Sequence, residues 1–369
     1  MKILMLTAAM DIGGAETHIL ELSCELAQRG HSVTVASNGG VYVEELENAG
    51  VRHVNVPLHT KDPRCMMKSK KILVRHMKDE GYDVVHAHAR IPGFVGAKAA
   101  KKCGVPFVTT FHGVYDPVWY LRLLTRVGKY TLAVSEDVRE YLMKYYGTPR
   151  ENIAITVNGI DTDKFECDKD AEPVIPEMAE GDNIVCVTRL DRDPAYHIFR
   201  MIEAMPAISE KCPNAKLIIV GGGDVLEEVR TASSTANEKM GAERIVVTGP
   251  RTDIAQILKR AKIFVGVSRA AMEAMATRVP VVLTGAQGHL GIYTPELEKA
   301  AVATNFCCRD RDVADSVMLE EAVTELLSYS CERLTELGDY NREVVMRLYS
   351  VGRMADDAEA LYHRILSDR

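Results

Sequence analysis

The chain has 369 residues, 47% of them hydrophobic and 26% charged, and a formal net charge of -7. That length is too great for one comfortable core and suits two domains of roughly 150–200 residues each in an ordinary globular protein. The negative balance excludes non-specific nucleic-acid binding, which needs a global positive field to attract phosphates.

The opening "MKILMLTAAM" runs at once into "DIGGAETH", which carries acids where a signal peptide would have a small-residue cleavage site. "KILMLT" is expected as a buried strand. "AETHILELSCELAQRG" follows as a helix with Ile19, Leu20, Leu22 and Leu26 on one face, Gly30 stops it, and "HSVTVAS" is the next strand. Such a strand–helix–strand unit favours a parallel sheet covered on both faces. The rhythm continues through "DVVHAHA", a helix over 93–103, "PFVTTFH", "YTLAVS", a helix over 136–146 and "NIAITV". "NGIDTDKFECDKDAEPVIPEMAEGDN" breaks it with acids, prolines and no periodicity, as an interdomain linker does. The pattern then restarts with "NIVCVT", the helix "AYHIFRMIEAMPAISEKC", "AKLIIVGGG", a helix over 224–239, "RIVVTG", "IAQILKRA", "IFVGVS", "AAMEAMATR" and "VPVVLTG". The expected class is α/β, with two doubly wound Rossmann-like domains, 1–165 and 166–349, facing each other across a cleft. The last helix, about 350–369, is expected to cross back onto the first domain. No apolar run approaches the ~20 residues needed to cross a bilayer. The nine cysteines lack metal-ligand spacing, because the one close pair, Cys307 and Cys308, is adjacent and cannot clamp a zinc ion. A cytoplasmic protein with reduced thiols is expected.

In an open parallel sheet, ligands gather at the carboxyl ends of strands and at helix N-termini, where free N–H groups favour anions. Four places qualify. In "MDIGGAETH", Gly13 and Gly14 let backbone approach a phosphate or sugar, although the spacing is not that of GxGxxG and a plain helix-start turn is the alternative. In "TTFHG", His112 directly follows a strand, which aims it at a ligand as donor or acid/base; the alternative is a satisfied loop histidine. In "VTRLDRDPAY", Arg189 and Arg192 sit just past a strand, where guanidinium forks suit a diphosphate. Asp191 and Asp193 there are read as partners of the arginines or as caps of a helix near Pro194, and "DTD" at 161–163 as ordinary loop. In "VSRAAMEAMATRVPVV", Ser268 and Arg269 open a helix, and Glu273 lies one turn on among apolar neighbours. A carboxylate there can accept from the vicinal hydroxyls of a ribose, whereas a lone Glu favoured by helix propensity is the alternative.

At these residues the chain resembles a GT-B glycosyltransferase, most similar to glycosyltransferase family 4, over nearly its whole length. The resemblance rests on "GGAETH", "FHG", "VNGIDTDKF", "TRL", "VTGPRTDI" and "EAMATRVPVV" in that order. It implies retaining transfer of a hexose-type sugar from a nucleotide diphosphate donor, which is a co-substrate rather than a cofactor, with no bound metal. Glu273 would bind the ribose, backbone from Gly249 to Arg251 the base, and Arg189 the diphosphate. Gly14 would approach the donor phosphates and His112 the donor sugar, with Gly13 and Glu16 counted beside them as substrate-binding residues. In "TGAQGHLGIYTPE", the glycines, Gly288 among them, and Tyr293 would form a loop facing the donor. The pattern departs in two places. "GRLxxxKG" stands here as "TRLDRDPA", with Thr188 for the glycine and Pro194 where the lysine belongs, so Arg192 is expected to supply that cation. The first of two paired glutamates falls at Val265, and Arg269 appears in the same loop, so either an unusual or anionic donor sugar or a remodelled loop is expected in a variant branch with "GxSRAAxEAMA" loops.

The acceptor carries no motif. Lys61, Arg64, Lys68, Lys70, Lys71, Arg75 and Lys78, interleaved with Met66, Met67, Ile72, Leu73 and Val74, would make a basic amphipathic helix for an anionic membrane surface, or a merely solvated face. "WYLRLLTRVGKY" around Trp119 is a second such element. The leading expectation is a transferase acting on a cell-envelope, polysaccharide or lipid-linked acceptor, working in the cytoplasm or at the inner membrane face. The alternatives are a catalytically silent nucleotide-sugar-binding scaffold and a sugar-nucleotide epimerase or hydrolase.

Overall fold

The protein is described here by a computed structural model covering residues 1–114, 119–166 and 172–368. It divides into two compact units, Met1–Gly159 with Ser350–Arg369, and Ile160–Tyr349. The division falls after Gly159, ahead of the expected boundary at 165.

The first unit holds seven strands: β1 (Lys2–Leu6), β2 (Ser32–Ser37), β3 (Arg52–Asn55), β4 (Val84–Ala87), β5 (Phe107–Phe111), β6 (Tyr130–Ala133) and β7 (Ile153–Ile155). They run in the order β3-β2-β1-β4-β5-β6-β7, and every pair is parallel. The order reverses at β1, which pairs with both β2 and β4, so the carboxyl ends of β1 and β4 flank a topological switch point. Helices cover both faces, which is why Ile3, Leu4, Met5 and Leu6 form an unbroken apolar run with no exposure. The terminal helix Val351–Ser367 completes this unit. Its buried stripe of Met354, Ala358, Leu361, Tyr362 and Ile365 keeps helical spacing, and Ser350 caps its start by accepting from Arg353 N–H. At Gly159 an added Cβ would lie 2.9 Å from Val351 Cα, so this helix rests directly on backbone.

The second unit holds β8 (Asp182–Val187), β9 (Ala215–Val220), β10 (Ile245–Gly249), β11 (Ile263–Gly266), β12 (Val281–Gly285) and β13 (Gly288–Ile292), ordered β10-β9-β8-β11-β12-β13. All pairs are parallel except β12 with β13, an antiparallel hairpin. That hairpin corrects the sequence reading of 284–296 as a ligand-facing loop. Tyr293 is 1% exposed and packs against Phe306 and Tyr340 at ring distances of 5.4 and 6.1 Å, inside the core. The helix Ser268–Ala276 ends against the helix Cys331–Leu348: Arg342 donates to the carbonyls of Ala276, Phe165 and Thr162, and Asn341 donates to that of Val279. A cation on the last carbonyls suits the negative end of the helix dipole.

The helices expected over 93–103 and 224–239 begin and end at Arg90–Cys103 and Leu226–Met240, and the one over 136–146 is Glu136–Tyr146. Within the expected linker, "DTD" is an ordinary turn in which Asp161 Oδ1 accepts from Asp163 and Lys164 N–H, both at 3.0 Å; residues 167–171 of the linker lie outside the described residues. The element around Trp119 starts the short helix Trp119–Leu124, and the Trp119 side chain lies outside the described residues.

Candidate functional site

In the first unit the site begins where β1 gives way to the helix Gly14–Gln28. Gly13 is its extended N-cap, and Glu16 folds back over it so closely that a Cβ on Gly13 would lie 2.3 Å from Glu16 Oε2. A carboxylate in the first turn complements the helix dipole. Gly14, by contrast, has nothing within 4 Å of where a Cβ would stand, which leaves its backbone open to approach.

His112 follows β5, as its place in the sequence requires, and it has company. One turn into the first helix lies His18, fully buried, its ring 4.7 Å from that of His112 in an edge-on contact. His86 and His88 come from "HAH" at the end of β4, two residues apart and therefore on one face. His88 Nδ1 and His112 Nε2 are 3.3 Å apart, and His86 is held by Tyr362 Oη and Thr110 Oγ1, each at 2.7 Å. His18 Nδ1 reaches Asn158 Oδ1 at 3.3 Å. Burial drives the basicity of His86 down to about 3 and that of His88 well below the usual value, with the neighbouring imidazoles adding to the effect. At neutral pH His86 and His88 are thus uncharged. The ring nitrogens of His18, His88 and His112 lie within 4.8 Å of one another, a spacing able to hold a metal ion. Sequence reasoning named His112 alone. The signal for the rest was present, since "HAH" ends a buried strand and "GGAETH" puts a histidine on the covered face of the first helix.

In the second unit three loops lie against one another at the carboxyl ends of β8, β9 and β10. Gly221 and Gly223 adopt φ of +152° and +159°, and an added Cβ would meet Thr188 O at 1.8 Å and Leu190 C at 2.3 Å respectively. Thr188 N–H donates to Val220 O and Leu190 N–H to Gly222 O, and Gly221 N–H donates to Gly249 O. Only glycine permits this approach, and it fixes the segment that presents Arg189 and Arg192. Arg189 is 70% exposed and 3.5 Å from Asp191. Arg192 is paired instead with Glu228 at 3.3 Å. Asp193 provides no side-chain cap: the helix starts at Tyr196 with Ala195 as its N-cap, which revises the capping expectation. Gly249 has φ +79°, and Arg251 forms a two-point pair with Asp253, Nε to Oδ1 at 2.8 Å.

Ser268 is the first residue of its helix and carries φ +58°, a strained conformation for a residue with a side chain. Its N–H donates to Phe306 O at 2.8 Å. Gly288, at φ +151°, packs against the same turn, since a Cβ there would lie 2.0 Å from Cys308 O. Arg269 lies on the helix rather than in a preceding loop, and its Nε donates to Glu273 Oε1 at 2.9 Å; both residues are 7% exposed. Burial raises the basicity of the Glu273 carboxyl, and Arg269 opposes that rise. The structure therefore supplies an internal reason for a lone carboxylate among alanines and methionines: it balances a buried guanidinium. Ser268 and Gly288 both meet the 305–308 turn, and Arg269 and Glu273 pair on the helix that Ser268 opens; Arg189, Gly249 and Arg251 belong to the loops after β8 and β10.

Residues 12–164 match the model of Glycosyltransferase Family 4, and residues 181–328 that of Glycosyl transferases group 1. The chain belongs to glycosyltransferase family 4. One relative uses a nucleotide-sugar donor, as its name states. That protein, the Escherichia coli UDP-Gal:alpha-D-GlcNAc-diphosphoundecaprenol alpha-1,3-galactosyltransferase, is 26% identical over 65% of this chain and 67% of its own length. The Mycobacterium tuberculosis phosphatidyl-myo-inositol mannosyltransferase is 25% identical over 58% of this chain and 57% of its own. Among solved structures, an Anabaena protein in complex with UDP and glucose superposes with a TM-score of 0.76 at 17% identity, covering 98% of this chain and all of the other. The two Rossmann-like sheets are thus those of the GT-B fold. No helix among the described residues is long and apolar enough to cross a membrane.

Proposed function

We propose that this family member is a retaining, metal-independent glycosyltransferase that moves a hexose-type sugar from a nucleotide diphosphate donor to a cell-envelope, polysaccharide or lipid-linked acceptor. The observation that carries the reading is the shelf at the carboxyl ends of β8, β9 and β10, where three glycine-packed loops present an exposed Arg189. In this reading Arg189 meets the diphosphate and takes up charge as the glycosidic bond breaks, with Arg192 as the second cation. Backbone from Gly249 to Arg251 receives the base, and Glu273 the ribose, sharing its carboxylate between Arg269 and the hydroxyls. The uncapped start of the Ser268–Ala276 helix adds the positive end of a dipole, and Ser268 holds it in place. In the first unit Gly13, Gly14 and Glu16 shape the approach of the donor phosphates, Gly14 by its open backbone, and His112 hydrogen-bonds the donor sugar. Gly288 acts indirectly, by seating the turn that holds Ser268.

Support for the donor class comes from the relatives' names and from the UDP-bound structural neighbour. Both relatives act, by name, on lipid-linked acceptors. The test is a calorimetric screen of UDP-, GDP-, ADP- and TDP-sugars, then NMR of the product's anomeric configuration. One donor is expected to bind, EDTA to leave turnover unchanged, and Arg189→Ala to lower kcat/KM by about 10²-fold, the usual scale for one oxyanion-stabilising donor. A product of inverted configuration, or turnover that EDTA abolishes, overturns the corresponding part. A second reading, a silent nucleotide-sugar-binding scaffold, is favoured by Pro194 in the place of the lysine and by the buried Glu273. Donor binding without turnover across acceptors would decide for it.

A further inference from the structure

Beside the histidine cluster, within the first unit, a cavity of about 180 Å³ opens at the carboxyl ends of β4 and β5. Its walls include His88, Arg90, Thr109, Thr110, Thr125 and Arg126, and among the described residues no carboxylate lines it. The helix Arg90–Cys103 starts here with Ala89 as an extended N-cap, no side-chain cap and no acid in its first turn. Its first amides have no intrahelical acceptor, and the dipole's positive end faces the same space. Arg90, in that first turn, is a cation where the dipole disfavours one. It is nevertheless held there, Nε donating to Thr125 Oγ1 at 3.1 Å while that hydroxyl donates to Leu121 O at 3.0 Å. Arg126 is anchored by donating to the carbonyls of Leu123 and Thr125, with its guanidinium 4.9 Å from the Phe94 ring.

A second, independent observation is His88. It is 4% exposed, one ring nitrogen faces His112, and the other, Nε2, is buried without a hydrogen-bond partner in a residue that lines the cavity. Leaving such a group unmatched costs about 1–3 kcal/mol, so its retention points to a ligand that meets it. Two guanidinium groups, an uncapped helix start and the unmatched ring nitrogen of a neutral imidazole, able to donate as N–H, all select one chemistry. The volume is several times the roughly 30 Å³ share of a water molecule, enough for a phosphate and the first atoms of what it is attached to.

We infer that this cavity binds the phosphate of a phosphorylated acceptor. The anion site stands on the cavity alone; its assignment to the acceptor rests on the glycosyl transfer proposed above. Phosphate oxygens accept from Arg90, Arg126 and the first-turn amides, and His88 contributes its unmatched nitrogen. The phosphate belongs either to a water-soluble sugar phosphate or to a lipid diphosphate.

The test uses the full chain and calorimetric titration with inorganic phosphate, comparing the wild type with Arg90→Gln and Arg126→Gln. Arg126 is a surface residue, so its variant keeps the fold even if Arg90→Gln does not. Saturable phosphate binding is expected, weakened about tenfold by Arg126→Gln, with the affinity for the donor nucleotide sugar unchanged. No saturable binding, or equal binding by wild type and Arg126→Gln, overturns the site. Absence of donor binding would instead strike the proposed function and leave the anion site standing. Two competition arms identify the source: glucose 1-phosphate in solution and a polyprenyl diphosphate in detergent micelles. The arm that displaces inorganic phosphate from the wild type and is weakened in Arg126→Gln names it. Failure of both arms overturns the acceptor assignment.

Discussion

Arg269 and Glu273 show how much one buried pair decides. Removing either partner leaves an uncompensated charge, at a cost of about 3–5 kcal/mol, whereas replacing both by apolar residues of similar volume is often neutral. Urea denaturation of Glu273→Gln, Arg269→Met and the combined Arg269→Met with Glu273→Leu is therefore expected to give two unstable singles and a double close to the wild type. The double should still lose donor affinity if Glu273 also grips the ribose, which separates the carboxylate's structural role from its binding role. His86 makes a different demand. Its folded-state basicity is pushed down to about 3, so below the ordinary histidine value of 6.5 the unfolded chain takes up a proton that the folded chain refuses. Stability from this residue is present above pH 6.5 and is lost as pH falls from 6.5 towards 3, by about 1.4 kcal/mol per pH unit once well inside that window. An otherwise matched His86→Gln variant should show an acid limb shallower by that slope in denaturation midpoints taken across it.

At the scale of elements, the glycines at the ends of β9 and β13 act as fasteners between loops. Gly221→Ala places a methyl 1.8 Å from Thr188 O at a φ of +152°, so the loop carrying Arg189 must move. A loss of about 2–4 kcal/mol in thermal unfolding and at least tenfold weaker donor binding are expected, both measurable on the purified variant. Elements of this kind also mark where sequence reading succeeds and stops. β1, β8, β9 and β12 are covered on both faces, and their apolar runs announced them. The edge strand β3, "RHVN", is only partly covered, has no such run and went unread, as did the short helix Val43–Asn48 before it. β13, "GHLGI", passed for a loop because its two glycines signal turns, while its pairing with β12 depends on a turn around Cys308 that no local pattern reveals. The site divides in the same way. Among the proposed site residues, the positions of His112 and Arg189 past strands and of Glu273 a turn into a helix were legible from local pattern. His18, His86 and His88 owe their importance to contacts between distant segments, and the partner of Arg269 emerges only once both residues are known to be buried.

Across the whole molecule the balance is acidic, yet the helix Pro63–Glu80 concentrates Arg64, Lys68, Lys70, Lys71, Arg75 and Lys78. Its buried residues are Ser69, Leu73 and Met77, while Met67 remains 61% exposed among the cations. If this surface attends a lipid-linked acceptor, the protein should sediment with anionic liposomes at low salt, with binding lost as ionic strength rises past the screening range. Reversal of Lys68, Lys71 and Arg75 to Glu should abolish that sedimentation without altering donor affinity. Absence of sedimentation at low salt would leave the helix a solvated face.

The placement of Val351–Ser367 on the first unit carries a consequence for biogenesis. Tyr362 secures His86, Met354 lies against Gly159, and Asp356 and Glu359 grip Arg29, so the first sheet receives this layer from a stretch made only after the whole second unit. On the ribosome the first unit must wait, unfinished, while the whole second unit is translated, and it is then the nascent protein's most vulnerable surface for chaperones to shield.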